Sequence, residues 1–255
     1  MSAQAKIVAI IQARMSSNRL PRKVLLPLAG HPIIAQIHRR LKQSQLLDQI
    51  VLATSVNSED DAIEDLCKKI GLACYRGSLN DVLDRYYQAA KHYEAKTIVR
   101  ITADCPVIDP VVVDAVVTAC LAGDYDYYGH AGQFPDGLDV EVFKFEALEK
   151  AWREAKLTSE REHVGPYLSK NPNLFKTGGL AIFTGLEHHR WTVDEASDYE
   201  LLQIIYEKLD RPDHIFLTNE ILQLFNEQPN LLEINNTITR NADYAKSLQE
   251  DQLIR

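Results

Sequence analysis

A basic loop follows the first apolar run of the chain. Residues 7–11 are all Ile, Val or Ala and predict a buried β-strand. The segment after this strand contains no acidic residue and carries four cations, which are Arg14, Arg19, Arg22 and Lys23. Guanidinium groups bind phosphate oxygens with paired hydrogen bonds, so the loop predicts a site for a triphosphate or a similar anion. A solvated surface loop is the alternative, but open α/β sheets bind ligands at the carboxyl ends of their strands, which favours the anion site.

Charge is distributed unevenly along the 255 residues. The formal net charge is −8, yet the first acidic residue is Asp48. Eight of the 28 Lys and Arg residues precede Asp48, which leaves 20 of them against 36 Asp and Glu residues in the rest of the chain. The acidic total argues against a general nucleic-acid binder, because such domains are usually basic. The N-terminal segment is nevertheless kept free of carboxylates that would repel an anion.

Two aspartates lie where apolar segments end. Asp104 follows the apolar run 98–103, and Asp194 ends the segment 191–194 before a predicted helix. Each of them alone could be an ordinary turn or helix-capping residue. Mg²⁺ is typically held by one or two carboxylates together with substrate phosphates, so the pair favours a metal site. Asp198 is expected to be a first-turn acid of the following helix.

A turn motif and a charged triplet provide candidates for a second binding site. Residues 135–137 read Pro-Asp-Gly, which is a favoured turn. Asp139 and Glu141 then share one face of an extended segment, where they either bind polyol hydroxyls or a second metal, or form the wet face of an edge strand. In the triplet 161–163, a base could deprotonate an attacking hydroxyl and Arg161 could hold an acidic substrate. A polar helix face is the alternative for the triplet.

Several other motifs are absent or weak. The chain has neither a GxGxxG nor a GxxxxGK[ST] sequence, which argues against the Rossmann dinucleotide and P-loop classes. The adjacent pair 188–189 lacks the helical spacing of zinc-binding histidines and is interpreted as structural. Asp124 and Asp126 mimic a metal motif of sugar transferases, but they lie among tyrosines in a predicted strand. The four cysteines show no CxxC spacing and predict reduced thiols in a cytoplasmic protein.

The elements that must position these residues alternate between strand and helix. Apolar strands are predicted at 5–12, 49–54, 72–75 and 97–103. Helices are predicted at 32–45, from a cap at Ser58 to Gly71, from a cap at Asn80 to Tyr93, and from Asp109 to Gly123. This order predicts an α/β fold with three layers, in which helices flank a mostly parallel sheet.

The regular alternation weakens after residue 123. Residues 124–185 are interpreted as an inserted α+β segment that covers the site and pairs subunits in a homodimer. Further helices are predicted near 197–209, 218–227 and 241–253. No linker divides the chain, so residues 1–255 are predicted to form a single domain. No apolar run reaches the roughly 18 residues that span a membrane, and the N-terminal apolar run lacks a cleavage-site pattern.

Several segments together resemble a known family. They are residues 9–14, 19–23, 100–106, 134–141, 161–163 and 192–194. They resemble cytidylyltransferases of the spore coat polysaccharide biosynthesis protein F type, a group similar to the CMP-sugar synthetases that act on sialic-acid-like and keto-deoxy sugar acids. The resemblance extends over nearly the whole chain to about residue 210. One departure is Arg22, which stands where relatives often carry a small residue.

The resemblance implies a Rossmann-like or GT-A-like nucleotidyltransferase fold, with CTP as donor and Mg²⁺ as cofactor. By position, the triphosphate would fall to Arg14, Ser17, Arg19 and Lys23. The nucleoside would fall to Gln12 and Ala13, with its base and ribose near Asn80 and Asp81. Thr102 would be a further nucleotide-binding residue. The metal would fall to Asp104 and Asp194, which form the catalytic set with Arg14 and Lys23. The acceptor would fall to Asp136, Asp139, Glu141, Arg161 and His163.

Three functional hypotheses follow. The first is a transfer of CMP from CTP to a sugar acid or a phosphorylated polyol, with release of pyrophosphate. The second is a metal-dependent glycosyltransferase that uses a nucleotide sugar, although a diphosphate donor has little use for four cations. The third is a nucleotide-sensing module, against which the paired aspartates speak, because binding alone seldom needs a doubly anchored metal.

Overall fold

A seven-stranded sheet organises the protein. The computed structural model describes residues 6–17 and 19–254. Its strands are β1 (Ile7–Gln12), β2 (Pro27–Leu28), β3 (His31–Pro32), β4 (Gln49–Ser55), β5 (Ala73–Gly77), β6 (Thr97–Thr102), β7 (Tyr127–Ala131), β8 (Glu141–Lys144) and β9 (Thr177–Ala181). The main sheet has the order β5-β4-β1-β6-β8-β7-β9, and β2 and β3 form a separate short hairpin.

Helices cover both faces of the sheet. They are α1 (Ile33–Leu41), α2 (Asp61–Ile70), α3 (Val82–His92), α4 (Pro110–Ala122), α5 (Phe145–Glu154), α6 (Thr158–His163), α7 (Pro166–Ser169), α8 (Ala196–Leu209), α9 (Thr218–Glu227) and α10 (Ala242–Gln249). Three 3₁₀ turns lie at Lys23–Leu25, Ser58–Asp60 and Pro229–Glu233. The predicted α/β class with helices on both sides of the sheet is confirmed.

Strand directions show where a ligand can enter. Strand β1 pairs in parallel with both β4 and β6, and β4 pairs in parallel with β5. The strand order reverses at β1. The chain places β4 and β5 on one side of β1 and then places β6 on its other side. Open α/β sheets bind ligands at such a switch point, outside the carboxyl ends of the strands. The loops after β1 and β6 therefore border the expected crevice.

Alternation within β1 explains why both of its faces are buried. Successive side chains of a strand point to opposite faces. Ile7, Ala9 and Ile11 belong to a core that includes residues of α1, α4 and α8, whereas Val8 and Ile10 belong to a second core with residues of α3 and α5. All five side chains are nearly or fully buried. A continuous apolar run is what a strand buried on both faces requires.

The predicted caps of two helices are wrong, whereas other predicted boundaries are confirmed. Ser58 lies in the 3₁₀ turn before α2 and makes no capping hydrogen bond. The cap of α3 is Asp81 rather than Asn80, because the Asp81 carboxylate accepts a hydrogen bond from the backbone of Asp84 at 2.9 Å. Both residue types cap helices well, so neighbouring candidates differ only in backbone position. Gly71 does end α2 in the left-handed conformation.

The segment 124–185 extends the main sheet. It supplies β7, β8 and β9, and β8 runs antiparallel to both β6 and β7. Helices α5, α6 and α7 of the segment lie over one face of this extension. The segment is therefore continuous with the sheet rather than a separate lobe, and its role in pairing subunits stays a prediction. Within the described residues, no helix has the length and apolar character needed to cross a lipid bilayer.

Candidate active site

A cavity of about 490 Å³ opens at the carboxyl ends of β1 and β6. It lies at the switch point of the sheet, where the strand order predicts a ligand site. Most of the residues that the sequence singled out line this cavity: Gln12, Arg14, Arg19, Thr102, Asp104, Asp136, Asp139, Glu141, His163 and Asp194. Residues from distant parts of the chain thus share one site.

Lys23 links the two aspartates at the centre of the site. Its Nζ donates to Asp104 Oδ2 at 3.1 Å, to Asp194 Oδ1 at 2.8 Å and to the carbonyl oxygen of Val193 at 2.7 Å. All three donors of the ammonium group are therefore used. The backbone of Val193 also donates to the carbonyl oxygen of Asp104, and the Thr192 hydroxyl donates to the same oxygen. These bonds hold the two aspartates in a fixed relation.

The electrostatics of Lys23 and Asp104 favour their charged forms. Burial lowers the pKa of Lys23, but Asp104 and Asp194 outweigh burial and raise it above its ordinary value. Burial likewise raises the pKa of Asp104, but Lys23 and a hydrogen bond from Thr102 outweigh this and lower it to about 2. Both groups consequently remain charged throughout the neutral range.

Asp104 and Asp194 fit the donor set of a divalent cation. Oxygens of both carboxylates lie within 3.1 Å of one cationic atom, Lys23 Nζ, so they converge on a single point that already accommodates positive charge. Hard divalent cations prefer oxygen ligands and accept two carboxylates when substrate phosphates complete the shell. Among residues 6–17 and 19–254, no three His, Cys, Asp or Glu side chains form a metal-binding cluster. Any ion here would therefore depend on phosphate oxygens as well.

Arg190 forms ion pairs with three aspartates of the site. It donates to Asp136 at 2.6 Å, to Asp194 at 2.8 Å and to the fully buried Asp198 at 2.9 Å. Asp198 is a first-turn acid of α8, as predicted, and also accepts from the backbone of Asp194. Arg190 was not among the predicted site residues. Arg190 lies four residues before Asp194, and this spacing was the one hint of their contact. Such a spacing predicts a contact only within a helix, and this segment is not helical.

The cations of the N-terminal loop separate into two groups. Arg14 and Arg19 line the cavity, and Arg19 pairs with Asp194 at 3.2 Å. Arg22 is exposed in the left-handed conformation (φ 61°) and lies with Ser17 in a neighbouring shallow groove. Ser17 accepts a hydrogen bond from Leu20. The expectation that Ser17 contacts the same ligand as Arg14 is thus not supported by its position.

Arg161 and Asp81 contact each other instead of lining the cavity. Both oxygens of Asp81 accept from Arg161 Nε, at 3.0 and 3.1 Å, and Arg161 Nη1 donates to the carbonyl oxygen of Trp152. This ion pair joins α6 to the start of α3. Neither residue lines the cavity, and the expected contacts of Arg161 with an acceptor and of Asp81 with a nucleotide stay predictions. Asn80 is exposed beside them, and Ala13 is buried at the end of β1.

The turn at 135–137 forms one wall of the cavity. Gly137 has φ +105°, and a Cβ there would lie 2.7 Å from the backbone of Trp191. Only glycine therefore allows this close approach. Backbone hydrogen bonds from Asp136 to His189 and from Trp191 to Asp136 hold the two segments together. The predicted turn is confirmed, and it carries Asp136 and Asp139 into the site.

Asp136, Asp139 and Glu141 form an acidic wall of the cavity, and the pKa values of the two aspartates are raised. Burial and repulsion from Asp139 raise the pKa of Asp136 to about 6, although Arg240 and Arg190 oppose this shift. Burial also raises the pKa of Asp139. The third acid, Glu141, is bound by Arg100 and accepts from the Tyr127 hydroxyl at 2.7 Å. Glu141 is therefore neutralised within the wall.

His163 reaches the cavity together with residues that the sequence analysis missed. Its Nε2 lies 3.0 Å from the Ser247 hydroxyl, and its ring contacts Tyr244 edge-on at 4.8 Å. Burial lowers the pKa of His163 below its ordinary value, although Glu162 opposes this shift. No motif near residue 240 pointed to the site, because nothing local indicates that a C-terminal helix folds back over it.

The discounted histidine and aspartate pairs are not among the residues that line the cavity. His189 is buried against Trp191 and Phe225, which agrees with a structural role for the pair 188–189. Asp124 and Asp126 both pair with Lys144. The four cysteines form no disulfide bonds.

Asp60 anchors the basic loop, which yields a prediction about stability. Its buried carboxylate accepts from the backbone of Met15 at 2.8 Å and from Thr54 and Ser55 at the end of β4. We expect Asp60→Ala to lower the free energy of unfolding by about 3 kcal/mol, because several donors would lose their partner in the interior. Urea unfolding measures this loss. Asp65→Ala, an exposed change on α2, serves as the control and should cost less than about 0.5 kcal/mol. Equal stabilities of the two variants would contradict the anchoring role.

The fold and the site together define a class of protein. A mostly parallel sheet with a cationic loop after its first strand, whose cations contact two carboxylates at the switch point, is suited to hold a nucleoside triphosphate beside a divalent cation. This combination is that of a nucleotidyltransferase.

Comparisons with known proteins specify the family. The chain matches the cytidylyltransferase family over residues 8–238. It is 41% identical over 239 residues to the uncharacterized protein MJ1063 of Methanocaldococcus jannaschii, with 91% of this chain and 96% of that protein covered. It is 34% identical over 238 residues to the spore coat polysaccharide biosynthesis protein SpsF of Bacillus subtilis, covering 88% and 95%.

A more distant enzyme and a solved structure agree with this assignment. Over 122 residues the chain is 33% identical to 3-deoxy-manno-octulosonate cytidylyltransferase of Synechococcus elongatus, which covers 47% of this chain and 48% of that protein. A solved cytidylyltransferase from Leptospira borgpetersenii has a TM-score of 0.85 and 33% identity, covering 90% of this chain and 97% of that chain. The chain therefore belongs to the cytidylyltransferase family and is a CTP-dependent nucleotidyltransferase.

Proposed function

We propose that this protein transfers CMP from CTP to a hydroxyl group of a sugar acid or a related polyol, for the synthesis of surface polysaccharide or glycoconjugate. The observation that carries the proposal is the Lys23 ammonium held between Asp104 and Asp194 beside the cationic loop. The acceptor class is supported by the names of two relatives, one a spore coat polysaccharide protein and the other an octulosonate cytidylyltransferase.

The reaction is an in-line displacement at phosphorus. A hydroxyl oxygen of the acceptor forms a bond to the α-phosphorus of CTP, and the bond from that phosphorus to the oxygen bridging to the β-phosphate breaks. Pyrophosphate leaves with the electron pair of that bond, and the hydroxyl proton passes to a base. Positioning and charge neutralisation should supply most of the acceleration, since the protein forms no covalent bond.

The residues of the site divide this work. Arg14, Arg19 and Lys23 neutralise the phosphate oxygens and the charge that develops on pyrophosphate. Asp104 and Asp194 would hold a divalent cation, proposed to be Mg²⁺, which supplies Lewis-acid polarisation of phosphate oxygens when bound. Lys23 contacts both carboxylates and Arg19 contacts Asp194, so a triphosphate bound beside them would meet the cations and the metal-binding oxygens together.

Asp136 is the group best suited to receive the hydroxyl proton. A pKa of about 6 makes it a stronger base than an ordinary aspartate while leaving most of it ionised at pH 7. It faces Arg190 and Arg240, which keep the ionised form accessible, and Asp139 and Asp104, which raise its proton affinity. Asp136 lines the same cavity as Asp104 and Asp194, which supports its assignment to the acceptor side of the proposed site.

This assignment predicts the pH dependence of the reaction. We expect kcat to fall as the pH drops through about 6, because a protonated Asp136 can no longer accept a proton. Asp136→Asn should lower kcat about 100-fold or more, the contribution typical of a general base, and should remove this acid limb. Rates of pyrophosphate release between pH 5 and 9 provide the measurement. An unchanged acid limb in the variant would assign the titration to another group, such as the nucleotide itself.

A pyrophosphate-release assay tests the proposed function directly. Purified protein is incubated with CTP, UTP, ATP or GTP, each with a panel of keto-deoxy sugar acids and phosphorylated polyols, with Mg²⁺ or with a chelator. We expect pyrophosphate and a CMP-linked product only with CTP, with a matching acceptor and without the chelator. Arg14→Ala and the surface change Arg153→Ala form a matched pair, of which only the first should reduce turnover.

The other outcomes distinguish the remaining hypotheses. Transfer from a preformed nucleotide sugar, without consumption of CTP, would identify a glycosyltransferase instead. Binding of CTP without release of pyrophosphate for any acceptor would identify a nucleotide-sensing module.

A further inference from the structure

The end of the chain lies across the cavity. The C-terminal segment, defined here as residues 239–254, begins directly after the last residue matched to the family and includes α10. Five of its residues line the cavity: Thr239, Asn241, Ala242, Asp243 and Tyr244. The site therefore has a wall that the family match does not include.

The near end of the segment is fastened to the acidic wall. The Arg240 guanidinium lies 4.5 Å over the Phe134 ring and donates to the Phe134 carbonyl oxygen at 2.9 Å. It also approaches Asp136 at 3.6 Å and Asp139 at 3.5 Å. Arg240 thereby balances the charge of the two aspartates proposed to face the acceptor.

The far end of the segment is fastened to α6. The Asp251 carboxylate accepts from the backbone and hydroxyl of Ser159, at 2.9 and 2.7 Å, and from the Thr158 hydroxyl at 2.9 Å. An antiparallel bridge joins Leu253 to Leu157. These contacts cap the start of α6, the helix that carries His163.

The middle of the segment positions the acceptor-side residues. The Ser247 hydroxyl donates to Glu162 at 3.0 Å and lies 3.0 Å from His163 Nε2. Tyr244 packs edge-on against the same imidazole. The orientation of His163 therefore depends on α10 rather than on its own helix alone.

One contact connects the segment to the phosphate side. Asp243 accepts from Arg19 at 2.6 Å, while Arg19 also pairs with Asp194 and Glu195. Arg19 is a proposed ligand of the triphosphate. A carboxylate and a phosphate compete for the same guanidinium, so a bound nucleotide must displace Asp243 or share Arg19 with it.

We propose that the C-terminal segment completes the acceptor side of the active site, and that Asp243 is a positioning residue which holds Arg19 until the phosphates of the nucleotide replace it. This inference rests on the proposed function, because it takes a triphosphate as the ligand of Arg19. Displacement of Asp243 would change the placement of Tyr244 and Ser247. Nucleotide binding would thereby alter the acceptor side before the second substrate enters.

The sign of one substitution tests the proposal. We expect Asp243→Asn to lower the Kd for CTP about three- to tenfold, because it removes a competing and repelling negative charge beside the phosphates. Isothermal titration calorimetry with CTP and Mg²⁺ measures this Kd. Glu250→Gln, which makes the same charge change at an exposed position of the same segment, should alter it less than twofold. A merely structural role of Asp243 would weaken binding or leave it unchanged, and either result would overturn the proposal.

Hydrogen exchange provides a second measurement that needs no acceptor. We expect CTP to slow exchange in residues 13–17 and to accelerate it in residues 242–249, since the latter lose the contact with Arg19. Slower or unchanged exchange in 242–249 would contradict the displacement. If the wild-type protein fails to bind CTP at all, the proposed function itself fails. If it binds CTP but Asp243→Asn has no effect, only the present inference fails.

Discussion

Asp104→Asn should reduce kcat for pyrophosphate release about 100- to 1000-fold, the range found when one electrostatic group aimed at the reacting phosphate is removed. The amide preserves the size of the side chain but removes the negative charge that faces Lys23 at 3.1 Å. That charge is one of the two proposed to hold the divalent cation. The expected loss therefore appears in turnover at saturating CTP rather than only in substrate affinity.

The stability of this variant should change much less. The pKa of Asp104, about 2, lies below the ordinary value, so its ionised form stabilises the folded protein above pH 4, and this contribution is lost as the pH falls through 2. At pH 7 the substitution should cost about 1–2 kcal/mol, since Lys23 keeps Asp194 and the Val193 carbonyl as partners. Thermal unfolding at pH 7 and pH 3 measures this difference. Asp65→Asn is the matched surface control, and turnover of Asp104→Asn within threefold of the wild type would refute the metal assignment.

Lys23→Met should produce the second large effect. Removal of the ammonium group takes away a positive charge beside the proposed phosphate site and should lower kcat/KM for CTP about 100- to 1000-fold. It also leaves the Asp104 and Asp194 carboxylates without the cation that both of them contact. Burial of Asp104 would then be opposed less, because Lys23 no longer stabilises the carboxylate, and the pKa of Asp104 would rise above its value in the wild-type protein.

For metal binding, the same variant is expected to show a gain rather than a loss of affinity. Lys23 and a divalent cation compete for the same carboxylate oxygens, so Lys23→Met should bind Mn²⁺ more tightly than the wild type in the absence of nucleotide. Calorimetry or Mn²⁺ electron paramagnetic resonance measures this affinity, and Lys42→Met at an exposed position is the control. Weaker binding of Mn²⁺ by Lys23→Met would show that the two aspartates do not form a metal site.

Part of the site can be predicted from local sequence, because the carboxyl ends of parallel strands meet at one edge of the sheet. The apolar run of β1, the cations after it and Asp104 after β6 are each recognisable within a few residues. Since β1 and β6 run in parallel and in register, their carboxyl ends must lie together, so the meeting of Arg14 and Asp104 in one cavity could be inferred in advance. The turn at 135–137 could be predicted in the same way, because proline restricts the backbone to turn conformations and glycine permits those that other residues avoid.

Other features depended on distances that no local pattern contains. Arg161 and Asp81 are 80 residues apart and were predicted in two different roles, yet they pair with each other. A long flexible cation can reach several carboxylates, and only the packing of α6 against α3 decides which of them it meets. The same holds for Arg190, whose three aspartate partners come from a turn, a loop and a helix.

The sequence by itself determined the class of fold and singled out the cationic loop after β1 and Asp104 after β6, because these depend on periodicity and on the ends of adjacent strands. Only the tertiary structure decided that Lys23 stands between Asp104 and Asp194, which are 81 and 171 residues away along the chain. It also decided that the C-terminal segment forms a wall of the site. The physical reason is that secondary structure is encoded by neighbouring residues, whereas ion pairs form between whichever charges the folded backbone brings within a few ångströms of one another.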